Sequence, residues 1–399
     1  MSHVSFRLIT VDRGQPYIGT KPRGRLGREG LRTRRGGEMS ALGLPSVEAA
    51  DAQLQLGALG LASSCLLALR LGNLRRYKTN EEQQVVQEGE LESRGYRTAA
   101  RSVNWGTCDD VGPRDYMEDA FHVDQEADHF FVGVYDGHGG SASSAFLRDN
   151  LHKSVLSLLR KNKATLNNNG STEQEVSQKY ESLLCEAFCA TDSALIDHIA
   201  GLGDPECWSG STATVCLVNS SDIICANVGD SRAVLCRGDK PIELSADHRP
   251  TTMNASGRSE IKRVNDAGGW VTQSRVCGIL AVSRAFGDYE FKGGRFELLE
   301  ELKETSDRIA VKADMDKPPV ISTPHVATFA RTCNDKFVIV ATDGLWDTMN
   351  SAQAVTFVRS ELKRDPSLTM DAIADSLVSR ALRCRTQDNV ACVVFQLSP

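Results

Sequence analysis

Two apolar runs in this chain each lead into an Asp-Gly pair. FFVGVY over Phe130–Tyr135 runs into Asp136 and Gly137, and KFVIVA over Lys336–Ala341 leads through Thr342 to Asp343 and Gly344. Runs this short, apolar throughout and ended by a turn signal, are the mark of strands buried within a sheet rather than of helices. A carboxylate at such a strand end is held by the sheet yet faces solvent, which is what a catalytic metal ligand needs. The glycine behind it lets backbone approach a cation closely, so the carbonyl of Gly137 is itself a candidate ligand. Either pair alone would be explained by a simple Asx-capped turn. Other acids change that balance: Glu118 and Asp119 in RDYMED, Asp230 in NVGDSR, Asp347 four residues beyond Asp343, and Asp388 in RTQDNV. No comparable set of Lys or Arg stands beside them, so hard divalent cations explain the collection better than solvated turns do. Oxygen donors, with no His or Cys cluster in the sequence, favour magnesium or manganese over zinc.

The periodicity along the rest of the chain predicts helices over Ala145–Arg160 and Glu173–Ala200, joined by the Asn- and Gly-bearing segment Lys161–Ser171. Four strands follow, Thr212–Val218, Asp222–Val228, Ala233–Arg237 and Pro241–Ser245, with Gly238 and Asp239 turning between the last two. A helix is expected over Ser259–Asp266, stopped by Gly268 and Gly269. Phe291–Lys317 reads as a charged surface insertion with one helix, Phe296–Glu304. Beyond the Lys336–Ala341 strand come helices at Ser351–Lys363 and Thr369–Cys384 and a last strand at Val390–Gln396. Clustered strands with paired helices between them point to an α+β fold, an antiparallel sheet assembly covered by helices, and not to a doubly wound parallel sheet.

The folded domain is expected over residues 96–399. Before it, residues 1–78 form a basic leader whose first 45 residues carry eight Arg and one Lys against Asp12, Glu29 and Glu38, the bias of an organelle transit peptide. Within that leader, 52–69 is free of charge and at the lower length limit for crossing a bilayer, with Gln53, Gln55, Ser63 and Ser64 interrupting it. It reads as part of a cleaved leader or as an anchor. Residues 79–95 are polar and acidic, a linker. A net charge of −6 argues against a protein that works by wrapping nucleic acid. The 12 cysteines are scattered without CxxC spacing, so the expectation is reduced, mostly buried thiols in a reducing compartment.

RDYMEDA, VYDGHGG, SGSTAT, NVGDSRAVL, ADHRP, CGILAVSRAFGD, ATDGLWD and QDN occur here in order, from Asn104 to Leu397. In that order they resemble the PP2C (PPM) family of metal-dependent serine/threonine protein phosphatases. The resemblance implies two packed antiparallel β-sheets flanked by helix pairs. It also implies two Mg2+ or Mn2+ ions, with a weaker third. Asp136 would bridge the first two ions, Asp343 and Asp388 would bind the first, and Glu118 with the Gly137 carbonyl would complete the second. Asp119 would hold metal-bound water beside them, and Asp230, Asp347 and Asp343 would form the third site. Two such ions about 3.5–4 Å apart lower the pKa of the water they share, supplying hydroxide for attack on phosphorus. Arg114 resembles the phosphate-binding arginine, a planar fork matched to phosphate oxygens. His138 resembles the general acid that protonates the leaving serine or threonine oxygen. A catalytically inactive scaffold of the same fold is the rival expectation.

Within the family, HRP at His248–Pro250, EIKRVNDAGGW, RVCGILAVSRAFGD and the insertion after it resemble the plant and algal thylakoid-associated phosphatases of light-harvesting antenna proteins. That implies phosphorylated antenna proteins as substrates and a chloroplast location facing the stroma, with a mitochondrial or cytosolic signalling phosphatase as the alternative. Those plant enzymes carry a C-terminal membrane segment, whereas this sequence runs from its last strand to Pro399. Membrane attachment would then be peripheral or fall to 52–69. The enzyme is expected to be a monomer, with substrate choice resting in part on the Phe291–Lys317 insertion.

Overall fold

A computed structural model describes residues 103–126, 128–166, 172–203, 206–304 and 308–397. The basic leader, the apolar run 52–69 and the acidic linker 79–95 lie outside the described residues.

Fifteen strands are described. They are β1 Asn104–Asp110, β2 Ala120–Gln125, β3 Phe130–Tyr135, β4 Gly137–His138, β5 Gly210–Ser211, β6 Ala213–Val218, β7 Asp222–Val228, β8 Arg232–Arg237, β9 Lys240–Glu243, β10 Val271–Thr272, β11 Arg275–Val276, β12 Phe286–Gly287, β13 His325–Ala330, β14 Asp335–Ala341 and β15 Val390–Gln396. Two sheets of five strands dominate, ordered β1-β15-β14-β8-β9 and β13-β7-β6-β3-β2, and every pairing within them is antiparallel. The longer helices are α1 Ala142–Lys161, α2 Glu173–Ile199, α3 Ala255–Asp266, α4 Arg295–Glu304, α5 Ser351–Arg364 and α6 Met370–Arg383.

Strand alternation sorts the side chains into layers. Phe130, Val132 and Val134 of β3 point between the sheets, meeting Cys216, Leu235, Val338, Val393 and Phe395 in the central core. Phe131 and Tyr135 point the other way, into a layer shared with Leu147, Leu151 and Val155 of α1 and Leu184, Phe188 and Leu195 of α2. On the opposite sheet, Phe337, Ile339 and Val394 pack beneath Val358 of α5 and Ile373 and Leu377 of α6. Both faces of the central strands are therefore covered, and for that reason FFVGVY shows no polar alternation. The order of layers, helices on sheet on sheet on helices, is the α+β sandwich expected from the sequence. Capping boxes open two of these helices: Thr172 with Glu175 at α2, and Asn350 with Gln353 at α5. Each such cap is worth about 1 kcal/mol.

Several expectations need correction. Strands β1, β2 and β13 were not anticipated, because their side chains are only half buried and carry no apolar run. Helix α3 begins at Ala255 rather than Ser259, since Asn254 caps it by accepting from the Gly257 N–H. The Phe291–Lys317 insertion is not merely a charged excursion. Phe291, Leu298, Leu299, Leu302, Ala310 and Met315 join Val264 and Trp270 in a core of their own. The described cysteines are not mostly buried: Cys216, Cys225, Cys236, Cys277 and Cys392 are, whereas Cys189, Cys333 and Cys384 are exposed. No helix among the described residues is long and apolar enough to cross a membrane.

Candidate metal centre

The expected acids converge on one rim of the sandwich, where β3 and β14 end and β15 begins. Asp136 leaves β3 with its backbone fixed by Thr212, whose Oγ1 accepts from the Asp136 N–H at 3.1 Å and whose N–H donates to the Asp136 carbonyl at 2.9 Å. The Gly137 N–H donates to the Glu118 carbonyl at 3.2 Å. A side chain at Gly137 would collide with that same carbonyl oxygen, so the close approach requires glycine. Glu118 Oε1 accepts from the Gly140 N–H at 2.6 Å, which ties the first acid to the glycines after the second. Asp119 Oδ2 accepts from Thr342 Oγ1 at 2.8 Å, one residue before Asp343. Asp343 opens a helical turn, Asp343–Trp346, and the Asp347 N–H donates to its carbonyl at 2.8 Å, keeping both acids on one side. Asp388 stands two residues ahead of β15.

Asp136, Asp230 and Asp343 each bring a carboxylate oxygen within 4.8 Å of the others. Burial pushes the pKa of Asp136 well above the carboxylate range, and the charges of Asp343, Asp119, Asp230 and Asp388 push it further. Burial followed by Asp230 does the same to Asp343. Asp119 is pushed up to about 7, chiefly by burial, against the Thr342 hydrogen bond. Glu118 is raised by burial despite the Gly140 N–H. Acids so placed cannot all ionise at neutral pH without cations among them. The donor set consists of oxygens, so the residues present fit hard divalent ions.

Arg249 already supplies one positive charge. Its Nε lies 2.5 Å from Asp230 Oδ2, its Nη2 2.7 Å from Asp343 Oδ2 and its Nη1 2.8 Å from Asp347 Oδ1. The trio of acids assigned by resemblance to a third cation is thus bridged by a guanidinium. Arg114 Nη2 reaches Asp388 Oδ2 at 2.7 Å and its Nε donates to the Gln387 carbonyl at 3.0 Å, placing the expected phosphate-binding arginine at the edge of the acidic cluster. The His138 ring is held by Asp288, with Nε2 at 2.8 and 3.0 Å from its two carboxylate oxygens.

All ten expected site residues therefore lie together. Four others share the site without having been singled out: Arg249, Asp288, Glu290 and Asn389. Asn389 accepts from the Glu118 N–H at 2.8 Å and donates to the carbonyls of Val111 and Tyr116, clamping the loop that carries Arg114. Glu290 is pushed up to about 7 by burial and then by Asp288. Their signals were weak. Arg249 and Asp288 lie within the ADHRP and CGILAVSRAFGD motifs, but nothing local says which residue each one meets.

Comparison with known proteins gives the family. Residues 108–390 match the family described as Protein phosphatase 2C. The chain is 36% identical over 309 residues to Protein phosphatase 2C 57 of Arabidopsis thaliana, covering 75% of this chain and 76% of that protein. It is 30% identical over 308 residues to Probable protein phosphatase 2C 2 of Oryza sativa, covering 74% and 71%. Among solved structures, a serine-threonine phosphatase 2C from Toxoplasma gondii superposes with a TM-score of 0.57 at 21% identity over 75% of this chain and 96% of that one, a likeness of fold.

Proposed function

Because the chain belongs to the protein phosphatase 2C family, and is a protein serine/threonine phosphatase acting on phosphoproteins, we propose that its acidic cluster is the catalytic metal centre, with each residue in the role set out here. Asp136, Asp343 and Asp388 hold one divalent cation, Mg2+ or Mn2+. Asp136, Glu118 and the Gly137 carbonyl hold a second, with Asp119 orienting water beside them. Asp230, Asp343 and Asp347 offer a weaker third position, in competition with Arg249. When bound, the cations supply the positive charge that makes water acidic enough to act as the nucleophile at neutral pH. Arg114 orients the phosphoryl group through its planar fork. His138, fixed by Asp288, holds the proton that passes to the serine or threonine leaving oxygen.

The observation that carries this reading is the convergence of Asp136, Asp230 and Asp343 within 4.8 Å, at a cost in mutual repulsion that Arg249 offsets only in part and bound cations would relieve. An assay on a phosphothreonine peptide with Mn2+ or Mg2+ tests it. Activity should vanish on chelation and in Asp136→Asn. Turnover persisting in either case would overturn the two-cation reading, and a protein inert under every metal condition would favour the inactive scaffold.

The substrates we propose are phosphorylated light-harvesting antenna proteins, met at the stromal side of the thylakoid by a monomeric enzyme. What supports this is the resemblance over His248–Asp288 and the basic bias of the first 45 residues. Imaging a fusion of residues 1–95 and comparing phosphoproteomes with and without the gene would test it. A diffuse cytosolic or mitochondrial signal, with antenna phosphorylation unchanged, would favour a signalling substrate elsewhere.

A further inference from the structure

The sequence holds no His or Cys cluster, but the fold makes one. His122 and Asp124 alternate along β2 and so share a face, and α1 lays His152 over them. One donor atom from each of the three lies within 4.8 Å of the others. The two imidazoles stack with centroids 3.7 Å apart and planes 15° from parallel. Buried Nε2 of His122 and buried Nδ1 of His152 have no hydrogen-bond partner. A third orphan lies beside them. Gly133 is the β3 residue paired with His122, and the Tyr135 hydroxyl fills the space where a Gly133 side chain would stand, itself buried and unpartnered.

Unmatched polar atoms inside a protein are costly, about 1–3 kcal/mol each, so three gathered at one place call for an occupant. The donors present define its chemistry. Two imidazoles and one carboxylate suit borderline transition metals such as Zn2+, Cu2+, Ni2+ and Co2+, and not the hard ions of the acidic rim. We propose that His122, Asp124 and His152 form a transition-metal site, separate from the catalytic centre, that ties strand β2 to helix α1. Burial pulls the pKa of both histidines down, which keeps the rings neutral, as metal ligands must be. In the stacked arrangement their lone pairs run side by side. Rotation of one ring about χ2, a soft torsion, turns them toward a common ion at bond lengths of about 2.0–2.1 Å. Three protein ligands leave a fourth position to water. The site is coupled by sequence to the catalytic rim, because β2 starts at Ala120, directly after Glu118 and Asp119. An ion here pins the strand whose first residue follows two of the expected ligands.

The experiment uses the full chain, stripped of metal and then held in excess Mg2+, which fills the all-oxygen centre and competes poorly for imidazole. Titration with Co2+ should give about one equivalent of tight binding with visible d–d absorption, reversed by Zn2+. His152→Asn and Asp124→Asn should each weaken that binding about tenfold or more. Phosphatase activity in Mg2+ should persist in both variants and shows that they fold. Zn2+ should also raise the Tm of the parent protein and leave that of His152→Asn unchanged. Cobalt absorption of equal strength and affinity in both variants, or none in the parent chain, would overturn the proposal.

Discussion

His138 Nε2 lies 2.8 Å from Asp288 Oδ1, and Asp288 reaches it from a left-handed backbone conformation, φ +47°, that a non-glycine residue rarely adopts. Asp288 is almost fully buried, and its neighbour Gly287 is anchored by Asp192, which accepts the Gly287 N–H at 2.8 Å. Strain held in place by buried contacts beside a reacting group is a sign of function. Burial of the His138 ring would pull its pKa down, but the charge and hydrogen bond of Asp288 outweigh burial, and the net direction is upward.

Asp288→Asn should therefore lower kcat on a phosphothreonine peptide by about 10- to 100-fold, because the proton on His138 is no longer held in place for an alkoxide leaving group. An aryl phosphate, whose leaving group needs no proton, should lose far less. Comparing the two substrates in one variant checks this, and equal losses would assign Asp288 a purely structural part.

Arg249→Ala removes the charge shared by Asp230, Asp343 and Asp347. The metal-free protein should lose about 1–3 kcal/mol, a figure reduced because the arginine is partly exposed. The freed carboxylates should at the same time bind Mg2+ more tightly. Calorimetric titration with thermal melts reads both effects, and an unchanged Mg2+ isotherm would count against a third cation at these acids.

Asp136→Asn should abolish activity yet stabilise the metal-free protein. The folded-state pKa of Asp136 lies above its unfolded value, so the unfolded chain ionises first and stability drains away as pH rises above about 4. The protonated wild-type side chain is close to Asn in shape. The stabilising effect should therefore be larger at pH 8 than at pH 5. Chemical denaturation in EDTA at the two pH values measures it.

His248 moves stability the other way. Burial, followed by the charge of Arg284, pulls its pKa down to about 3. The unfolded chain thus takes up a proton from about pH 6.5 downward while the folded protein does not, costing up to about 1.4 kcal/mol per pH unit until the folded pKa is reached. In His248→Asn the slope of stability between pH 6.5 and 4 should be shallower by about one proton. The backbone bonds of this residue, from its N–H to the Gly229 carbonyl and from the Ser283 N–H to its own carbonyl, survive the change.

The insertion after β12 calls for a point change rather than its removal, since deletion would open the core around Leu298, Leu299 and Met315. Phe296, 52% exposed and lying under the Arg295 guanidinium, is the residue to alter. Phe296→Ser should raise KM for a protein substrate about threefold to tenfold, within the range of a lost exposed aromatic contact, and leave an aryl phosphate unaffected.

The parts legible in the sequence were those that announce themselves locally. Phe130–Tyr135 is buried on both faces and reads as a strand from its composition, and the acids at strand ends follow from it. β2 and β13 lie at the edges of their sheet with half-buried side chains, so nothing in AFHVDQ or HVATFA separates them from loop. The partners inside the site were illegible for another reason. His138 meets Asp288 across 150 positions, and Arg249 meets Asp347 across 98. Only the pairing of strands brings such residues together, and pattern within a window cannot show it. His122 and His152 were invisible as a pair because only the packing of α1 onto β2 brings them together.

Strand β15 lies between β1 and β14, with Asn104 opposite Gln396 and Asp110 opposite Val390. An interior strand of one sheet thus follows every other described strand in sequence, with Asp388 and Asn389 just ahead of it. Until it emerges, β1 has no partner and the rim lacks both a proposed cation ligand and the clamp on the Arg114 loop. Contacts this distant in sequence form slowly and late. A nascent chain stalled before residue 388 would hold every described helix of the fold and still be unable to close its centre, so the activity waits on synthesis of β15.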